Sequence, residues 1–535
     1  MLVRLCEWRR GPTGGDLALV VVGAVLMTLA TPPTNLWFLG LVVWVPLATV
    51  AARGEVLRAG LVGWLQGTLA QGAVLWGMPT ALREAGGTSW GWSWGLAAVL
   101  AIFEGARFGA IALVSAKAVR NGWPVALSFP VALVGVEFLY PMFFPWSTWL
   151  FFQSVPVLLQ GAELGGPLAL SLWVGLVDAS LATAWHQRSR RPLFVRYGLV
   201  VPAITLAVVV GGGAARMRAI GERAAVAPEL RVGIVQGNVS NARGETRDPT
   251  PLYLSASLEL MAKQKIDLLV WPEAAISFPV QSEDLSNFVS DRLFRHDGPP
   301  QSAPPRIDVP LLTGMVLERK APESPAHVHM VNPDGTWREE KAERFNSAVL
   351  ATPDGRVRGV YDKRELVTFG ETIPREDQFP WLRRLLPAAG TFSPGTSSAP
   401  LSLAGKRTLV LICYEDLMAE RVRDAVNEGD PDLLVNLTSD AWFGDSRVPS
   451  LHMALSRLRA VEHRRFLVHA TNTGLTAVFD PAGRTVAELP PNRLASTVAT
   501  VRWLRSNTLY EDLGNAPSYG IVAAAALLGL RKRAV

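Results

Sequence analysis

The stretch Thr408–Leu417, "TLVLICYEDL", decides how the second half of the chain is read. Its apolar run, Leu409 to Ile412, has the texture of a strand buried on both faces, and it stops at Cys413, Tyr414, Glu415 and Asp416. Polar groups at the end of a buried strand sit where an α/β sheet opens into a cleft. Cys413 is one of 2 cysteines among 535 residues, and the other, Cys6, lies at the far end of the chain. Two thiols so placed make no disulfide framework, so Cys413 reads as a free thiol.

Runs of the same kind lie on both sides of this stretch. "LRVGIVQG", "IDLLVWPE", "VPLLTGMVL", "DLLVNLTS" and "FLVHATN" read as further strands, and helical patterns cover Asp416 to Asn427 and Pro449 to Arg464. The alternation predicts an α/β domain over residues 225–507, within which "DGPPQSAPPR" (Asp297 to Arg306) is a loop and not a domain linker.

The texture before this domain is different. The hydrophobic fraction of the whole chain is 49%, and apolar runs about long enough to cross a bilayer recur through the first 214 residues. Seven are read, near 15–31, 35–52, 59–80, 91–115, 122–143, 163–185 and 197–213, with an eighth in the segment 515–535, where "YGIVAAAALLGL" must borrow flanking residues to span. The first is not a cleaved signal, since no A-x-A-like site closes it. Arginines and lysines occupy alternate connections: Arg4, Arg9 and Arg10, then Arg53 and Arg58, then Lys117 and Arg120, then Arg188, Arg190, Arg191 and Arg196. Positive charge stays on the cytoplasmic side of a membrane, so both termini are expected in the cytoplasm and the α/β domain outside it. The formal net charge of +6 fits this topology. The basic residues do not interleave with aromatics on one face, and no nucleic-acid partner is expected.

Three strand ends carry chemistry: "LLVWPEAAI" delivers Glu273, "GVYDKRELVTFGE" delivers Lys363, and "TLVLICYED" delivers Cys413. A thiol of ordinary pKa is mostly protonated at neutral pH, a carboxylate can take its proton, and an ammonium can hold an oxyanion. Taken singly each has a plainer reading: a core cysteine, a helix-capping glutamate, a solvated lysine. Glu104 and Arg107, three apart within the fourth apolar run, are expected to pair with each other. His327 and His329 in "AHVHM" point the same way on a strand, but no third ligand has suitable spacing, and neither metal nor cofactor is expected.

The contexts of the three residues resemble the nitrilase, or carbon-nitrogen hydrolase, superfamily, whose members use a Glu-Lys-Cys triad. The wider pattern resembles the apolipoprotein N-acyltransferase family, through "VQGN" (Val235 to Asn238), "WPEAAI" (Trp271 to Ile276), "FNSAVL" (Phe345 to Leu350), "YDKRELVTFGETIP" (Tyr361 to Pro374), "CYED" (Cys413 to Asp416), "SDAWFGDS" (Ser439 to Ser446) and "ATNTGLTAVFDPAG" (Ala470 to Gly483). "FPWSTW" and "LLQGAELGGPLALSL" fit in the apolar part. The resemblance implies a multi-span α-helical membrane domain, an extracytoplasmic nitrilase-like αββα sandwich and a final span, in the inner membrane of a two-membrane bacterium. By matching position it implies Glu273 as general base, Lys363 as oxyanion-stabilising cation and Cys413 as nucleophile. Glu371 and Glu415 match further acidic residues of the family, acting at the site or only supporting Lys363, and the Tyr414 N–H is an oxyanion donor. The implied partners are a glycerophospholipid acyl donor and a diacylglyceryl apolipoprotein acceptor, with a Cys thioester between them. The rivals are a membrane-tethered amidase or nitrilase with water as acceptor, and a scaffold that has lost activity. Departures from the family are the absence of tryptophan between Asn238 and Trp271, and Thr368, Ala274 and Ser439 where proline, a small hydroxyl residue and asparagine are common.

Two apolar segments are read as substrate or membrane contacts. "FPWLRRLLP" (Phe379 to Pro387) sets Trp381 and Leu385 beside Arg383 and Arg384, which suits a headgroup boundary or an ordinary packed helix. Trp442 and Phe443 either line an acyl-chain entrance or fill core.

Overall fold

The computed structural model describes residues 12–187, 192–239, 248–294, 306–321, 327–331, 337–376, 378–386 and 390–530. Fourteen strands follow one another in chain order: β1 (Glu229–Gln236), β2 (Leu268–Val270), β3 (Ile276–Gln281), β4 (Leu311–Lys320), β5 (His327–Val331), β6 (Trp337–Ala351), β7 (Val357–Asp362), β8 (Leu401–Leu403), β9 (Lys406–Ile412), β10 (Leu433–Thr438), β11 (Leu467–Thr471), β12 (Ala477–Phe479), β13 (Thr485–Glu488) and β14 (Ala495–Arg502). One sheet runs β14-β1-β2-β4-β6-β5, with β3 on β4 and β7 on β6, and the other runs β13-β12-β11-β10-β9-β8.

Alternate residues of facing strands meet between the sheets. Val232 and Ile234 of β1, Val270 of β2 and Leu350 of β6 share one core with Val410 and Ile412 of β9, Val435 of β10 and Val468 of β11. The opposite faces are covered by helices. Thr250–Lys263 places Tyr253 against Trp271 and Leu269, and Ala419–Gly429 places Val422 and Ala425 against Leu409 and Leu411. The layers are helix, sheet, sheet, helix. Each large side chain buried there is worth about 1.5–3 kcal/mol. β9, β10 and β11 pair in parallel, which is why their sequences are apolar throughout.

Among the described residues of the first part of the chain, three helices are long and apolar enough to cross a membrane: Trp90–Arg120, Ala162–Gln187 and Arg196–Ala225. Gly14–Ala30, Val56–Val74, Val125–Leu139 and the C-terminal Ala516–Leu530 fall in other expected spans. The run near 35–52 is not one helix. It folds as a 3-10 turn, Trp37–Leu41, and a short helix, Val45–Ala51. The run near 122–143 stops at Leu139, because Pro141 and Pro145 cannot continue a helix, and the segment beyond it turns back with Trp146, Trp149 and Phe151 buried. The helix that begins at Pro192 runs without interruption to Ala225, and its Ile220 and Ala224 reach the core between the sheets. At Gly166 (φ +65°) a side chain would meet the Tyr510 ring at 2.5 Å, so only glycine fits the kink there.

The two parts of the chain share one apolar core. Leu451, Leu455, Leu458 and Val461 of the helix Val448–His463 pack with Trp44, Phe108 and Trp149. Arg464, fully buried at the end of that helix, donates to Glu163 at 2.8 Å, to Gln160 at 2.7 Å and to the Pro481 carbonyl at 2.9 Å. Removing one partner of a buried pair typically costs 3–5 kcal/mol, because the other charge is left unpaired. Arg464→Leu is expected to lower the thermal midpoint of the purified protein by several degrees, and Glu163→Gln by at least as much, since it strips both the buried Arg464 and Arg216, 2.8 Å away, of their anion. An unchanged midpoint in Arg464→Leu contradicts this account of the docking.

Candidate active site

The three strand ends read from the sequence converge. Lys363 follows β7 directly, Cys413 follows β9, and Glu273 lies three residues beyond β2. Lys363 is 1% exposed, with its ammonium 2.8 Å from a Glu371 oxygen and 3.5 Å from Glu273. Glu273 is 7% exposed, and its Oε1 accepts from the Asn346 amide at 2.7 Å. The same amide donates to Glu371 at 2.9 Å, so one asparagine spaces the two carboxylates. Cys413 is partly exposed and free. The lysine is therefore closed off from solvent, whereas the cysteine residue remains partly exposed.

Local backbone geometry is unusual here. Cys413 has φ +54° and Ala274, beside Glu273, has φ +50°. Left-handed backbone at residues with a Cβ costs of order 1–3 kcal/mol and persists only where surroundings impose it. Gly314 supplies part of that constraint: a side chain there would come within 2.6 Å of the Glu273 Cα.

Glu415 holds the turn that bears Cys413. It accepts from the Ile412 N–H at 2.8 Å, from the Arg364 and Glu365 N–H groups at 2.7 and 3.1 Å, and from the Tyr361 hydroxyl at 2.8 Å. It thus ties the end of β9 to the backbone after Lys363 and makes no ion pair with the lysine. Glu371 does touch Lys363, and it also accepts from the Val367 N–H at 2.8 Å. Tyr414 points away from the triad, its hydroxyl donating to the Phe143 carbonyl at 2.7 Å.

Burial pushes the Cys413 thiol well above its ordinary pKa, the Glu273 carboxylate adds to the rise, and Lys363 counters it. Burial likewise pushes Glu273 up; Lys363 opposes, Glu371 adds, and hydrogen bonds from Asn346 and Cys413 pull back down. Burial acts against the Lys363 ammonium, but Glu371 and Glu273 together hold its pKa above the usual lysine value. Burial thus favours a thiol over a thiolate at rest, beside a fixed ammonium. Such a set can deliver a thiol proton to the carboxylate as sulfur attacks a carbonyl, with the ammonium meeting the oxygen that becomes negative.

Beneath Cys413 lies a buried network that no linear pattern of residues announces. His452 Nε2 faces Asp416 at 3.1 Å and Nδ1 faces Asp440 at 2.8 Å. Asn436 donates to Asp416 at 2.5 Å and to the Cys413 carbonyl at 3.3 Å. Asp416, His452 and His469 bring ligand atoms within 4.8 Å of one another. Both His452 nitrogens, however, are turned to carboxylates. Burial opposes the imidazolium, yet Asp440 and Asp416 push its pKa well above the ordinary histidine value. The cluster reads as a charged clamp joining the Cys413 turn to the Asp440 loop. The His327 and His329 side chains lie outside the described ones.

Trp442, 37% exposed, lines a cavity of about 470 Å³ together with Thr80, Glu84, Asn238, Asp445 and Asn492, so its surroundings are polar. Phe443 packs on the apolar core shared with the first part of the chain. Trp381 begins the helix Trp381–Leu385 and is 53% exposed, and the Leu385 side chain lies outside the described ones.

Residues 231–503 match the family model "Carbon-nitrogen hydrolase", and residues 23–180 match "Apolipoprotein N-acyltransferase N-terminal domain". A relative from Azotobacter vinelandii with the name Apolipoprotein N-acyltransferase is 30% identical over 536 residues, 97% of this chain and 96% of its own length. The chain belongs to the apolipoprotein N-acyltransferase family. Two other relatives with that name are from Geobacter metallireducens, 28% identical with 97% of this chain and 96% of theirs covered, and from Bradyrhizobium diazoefficiens, 30% identical with 82% and 78% covered. Within the apolipoprotein N-acyltransferase framework, Asn346 is the site residue that sequence reading passed over. Its signal was present in "FNSAVL", where a lone amide interrupts a strand of small and apolar residues.

The electrostatics give a signed expectation. Glu273 must be ionised to accept the thiol proton, so the acid limb of thioester formation should lie above the ordinary glutamate pKa of about 4.3. Glu371→Gln removes a negative neighbour and should move that limb to lower pH, whatever it does to the maximum rate. A limb that stays fixed or rises contradicts the assignment of Glu273 as the titrating base.

Proposed function

We propose that this chain transfers an acyl chain from a glycerophospholipid to the α-amino group of the S-diacylglyceryl cysteine that begins an apolipoprotein. Membership of the family supports lipoprotein N-acylation. The observation that carries the mechanism is the burial of one lysine between two carboxylates beside a partly exposed, free cysteine.

In the first half-reaction the Cys413 sulfur attacks the ester carbonyl as its proton passes to Glu273. The resulting oxyanion faces Lys363 and the Tyr414 N–H. The tetrahedral adduct collapses, the C–O bond of the ester breaks, and the glycerol oxygen leaves as a hydroxyl with the proton held by Glu273. A thioester on Cys413 and a lysophospholipid result. In the second half the neutral α-amine attacks the thioester, Glu273 takes the ammonium proton and returns it to the departing Cys413 sulfur, and the amide product leaves. Water must be kept from the thioester, or the cycle ends in hydrolysis. Glu371 and Glu415 serve by holding Lys363 and the nucleophile turn.

The apolar first part and the C-terminal helix bring this site to its lipid donor. In this reading residues 1–214 form a seven-span domain, 225–507 the catalytic domain and 515–535 a last span. The alternation of basic connections supports cytoplasmic termini and a periplasmic site at a bacterial inner membrane. The exposed Phe379 and Trp381, beside Arg383 and Arg384, form an arm for the outer leaflet.

Two experiments test these statements. Intact-mass analysis after exposure to phospholipid vesicles alone should show an acyl adduct on the native chain and none on Cys413→Ala; an adduct of equal yield on the variant ends the thioester mechanism. Phe379→Ser combined with Trp381→Ser should slow turnover of vesicle phospholipid several-fold more than turnover of a short-chain soluble ester. Equal losses on both substrates would mean the arm serves the fold, not the membrane.

A further inference from the structure

The mechanism leaves two buried charges of the helix Trp90–Arg120 without a task. Glu104 and Arg107 are each 1% exposed. They were expected to pair, but among the described residues no ion pair closes between them. Each turns to the backbone of the segment that follows Leu139. Glu104 Oε1 accepts from the Phe143 N–H at 2.7 Å. Arg107 donates to the Trp146 carbonyl at 2.8 Å, and its guanidinium lies 4.7 Å from the Trp146 ring centre. Glu137, on the next helix, accepts from the Thr148 hydroxyl at 2.6 Å and its N–H at 3.1 Å.

Three charges placed within apolar helices thus fix one short segment. Packing does not require them, because Trp146, Trp149, Leu150 and Phe151 already bury that segment. A charge in such surroundings is expensive unless hydrogen-bonded, and where it persists it commonly serves function. A carboxylate bonded to an N–H also sets direction and distance more tightly than apolar contact does.

Phe143 is where the segment meets the active site. Its N–H is held by Glu104, and its carbonyl accepts the Tyr414 hydroxyl at 2.7 Å. Tyr414 is bonded to Cys413, whose φ of +54° needs external support. The peptide joining the two residues carries the N–H assigned to the oxyanion.

We propose that Glu104 is a positioning residue for acyl transfer: through Phe143 it fixes the Tyr414 side chain, and so the aim of the Cys413–Tyr414 peptide at the developing oxyanion. The inference rests on the thioester reading above. It makes the nucleophile turn complete only when seated on the apolar domain. Loss of a full oxyanion donor typically costs 10²–10³ in rate, and a donor displaced but present should cost about tenfold.

The test is a double-mutant cycle on the full-length protein, with the rate of acyl-adduct formation on Cys413 from phospholipid vesicles as the readout. Glu104→Leu and Tyr414→Phe should each slow that step about tenfold, and the double variant should be no slower than the slower single, since both break one chain of contacts. Glu104→Gln keeps an oxygen that accepts from the Phe143 N–H and should recover to within about threefold of native. Independent losses multiplying to about a hundredfold, or a native rate in Glu104→Leu, overturn the inference. If Glu104→Leu is not recovered folded, the cycle is run with Glu104→Gln, whose smaller loss should vanish in the Tyr414→Phe background; an equal loss in both backgrounds overturns it. Should the native chain form no adduct with phospholipid, the donor reading falls, and the same cycle is read from acylation of Cys413 by a p-nitrophenyl ester.

Discussion

A lysine ammonium withdrawn from water is the constraint around which this site is arranged. Lys363 retains its charge because two carboxylates face it, and those carboxylates tolerate one another only because the ammonium and the Asn346 amide lie between them. Removing Lys363 would leave two buried carboxylates facing each other with no cation between them. The same burial pushes both Cys413 and Glu273 above their usual pKa values.

The same logic recurs one layer down. The His452 imidazolium sits between Asp416 and Asp440, joining the nucleophile turn to the loop that bears Trp442. Glu415 links that turn to the backbone beyond Lys363, and Tyr414 links it to the apolar domain. A cysteine in left-handed backbone is thus held from three directions by groups that cannot move independently. Chemistry at a fixed point calls for such rigidity, because an attacking atom displaced by about 1 Å loses much of its advantage.

How much of this was written in the sequence depends on the kind of signal. Strands buried on both faces announced themselves as apolar runs, so β1, β2, β4, β9, β10 and β11 were readable, and the convergence of Glu273, Lys363 and Cys413 followed from where those runs, and the motif around Lys363, end. β6 was not, because "WREEKAERF" looks like a solvated helix or loop until pairing with β4 and β5 turns its alternation into a strand. β3 carries Pro279, a residue that argues against a strand in isolation. The stretch near 35–52 was apolar enough to pass for a span, but hydropathy does not register the 3-10 geometry of Trp37–Leu41. Glu104 and Arg107 share a helix face as spacing requires, yet spacing cannot say that a backbone 39 residues away outcompetes the neighbour. The Asp416, Asp440 and His452 clamp assembles from three elements and has no linear signature at all.

The helix from Pro192 to Ala225 has a consequence for the whole assembly. At about 1.5 Å per residue its 34 residues measure roughly 50 Å, well beyond the ~30 Å of a hydrocarbon interior. Its tip is built into the core between the two sheets. If the helix crosses the bilayer as proposed, its surplus stands clear of the lipid as a rigid post, and bilayer thickness then acts as a ruler that sets the height of the Cys413 sulfur over the leaflet below it.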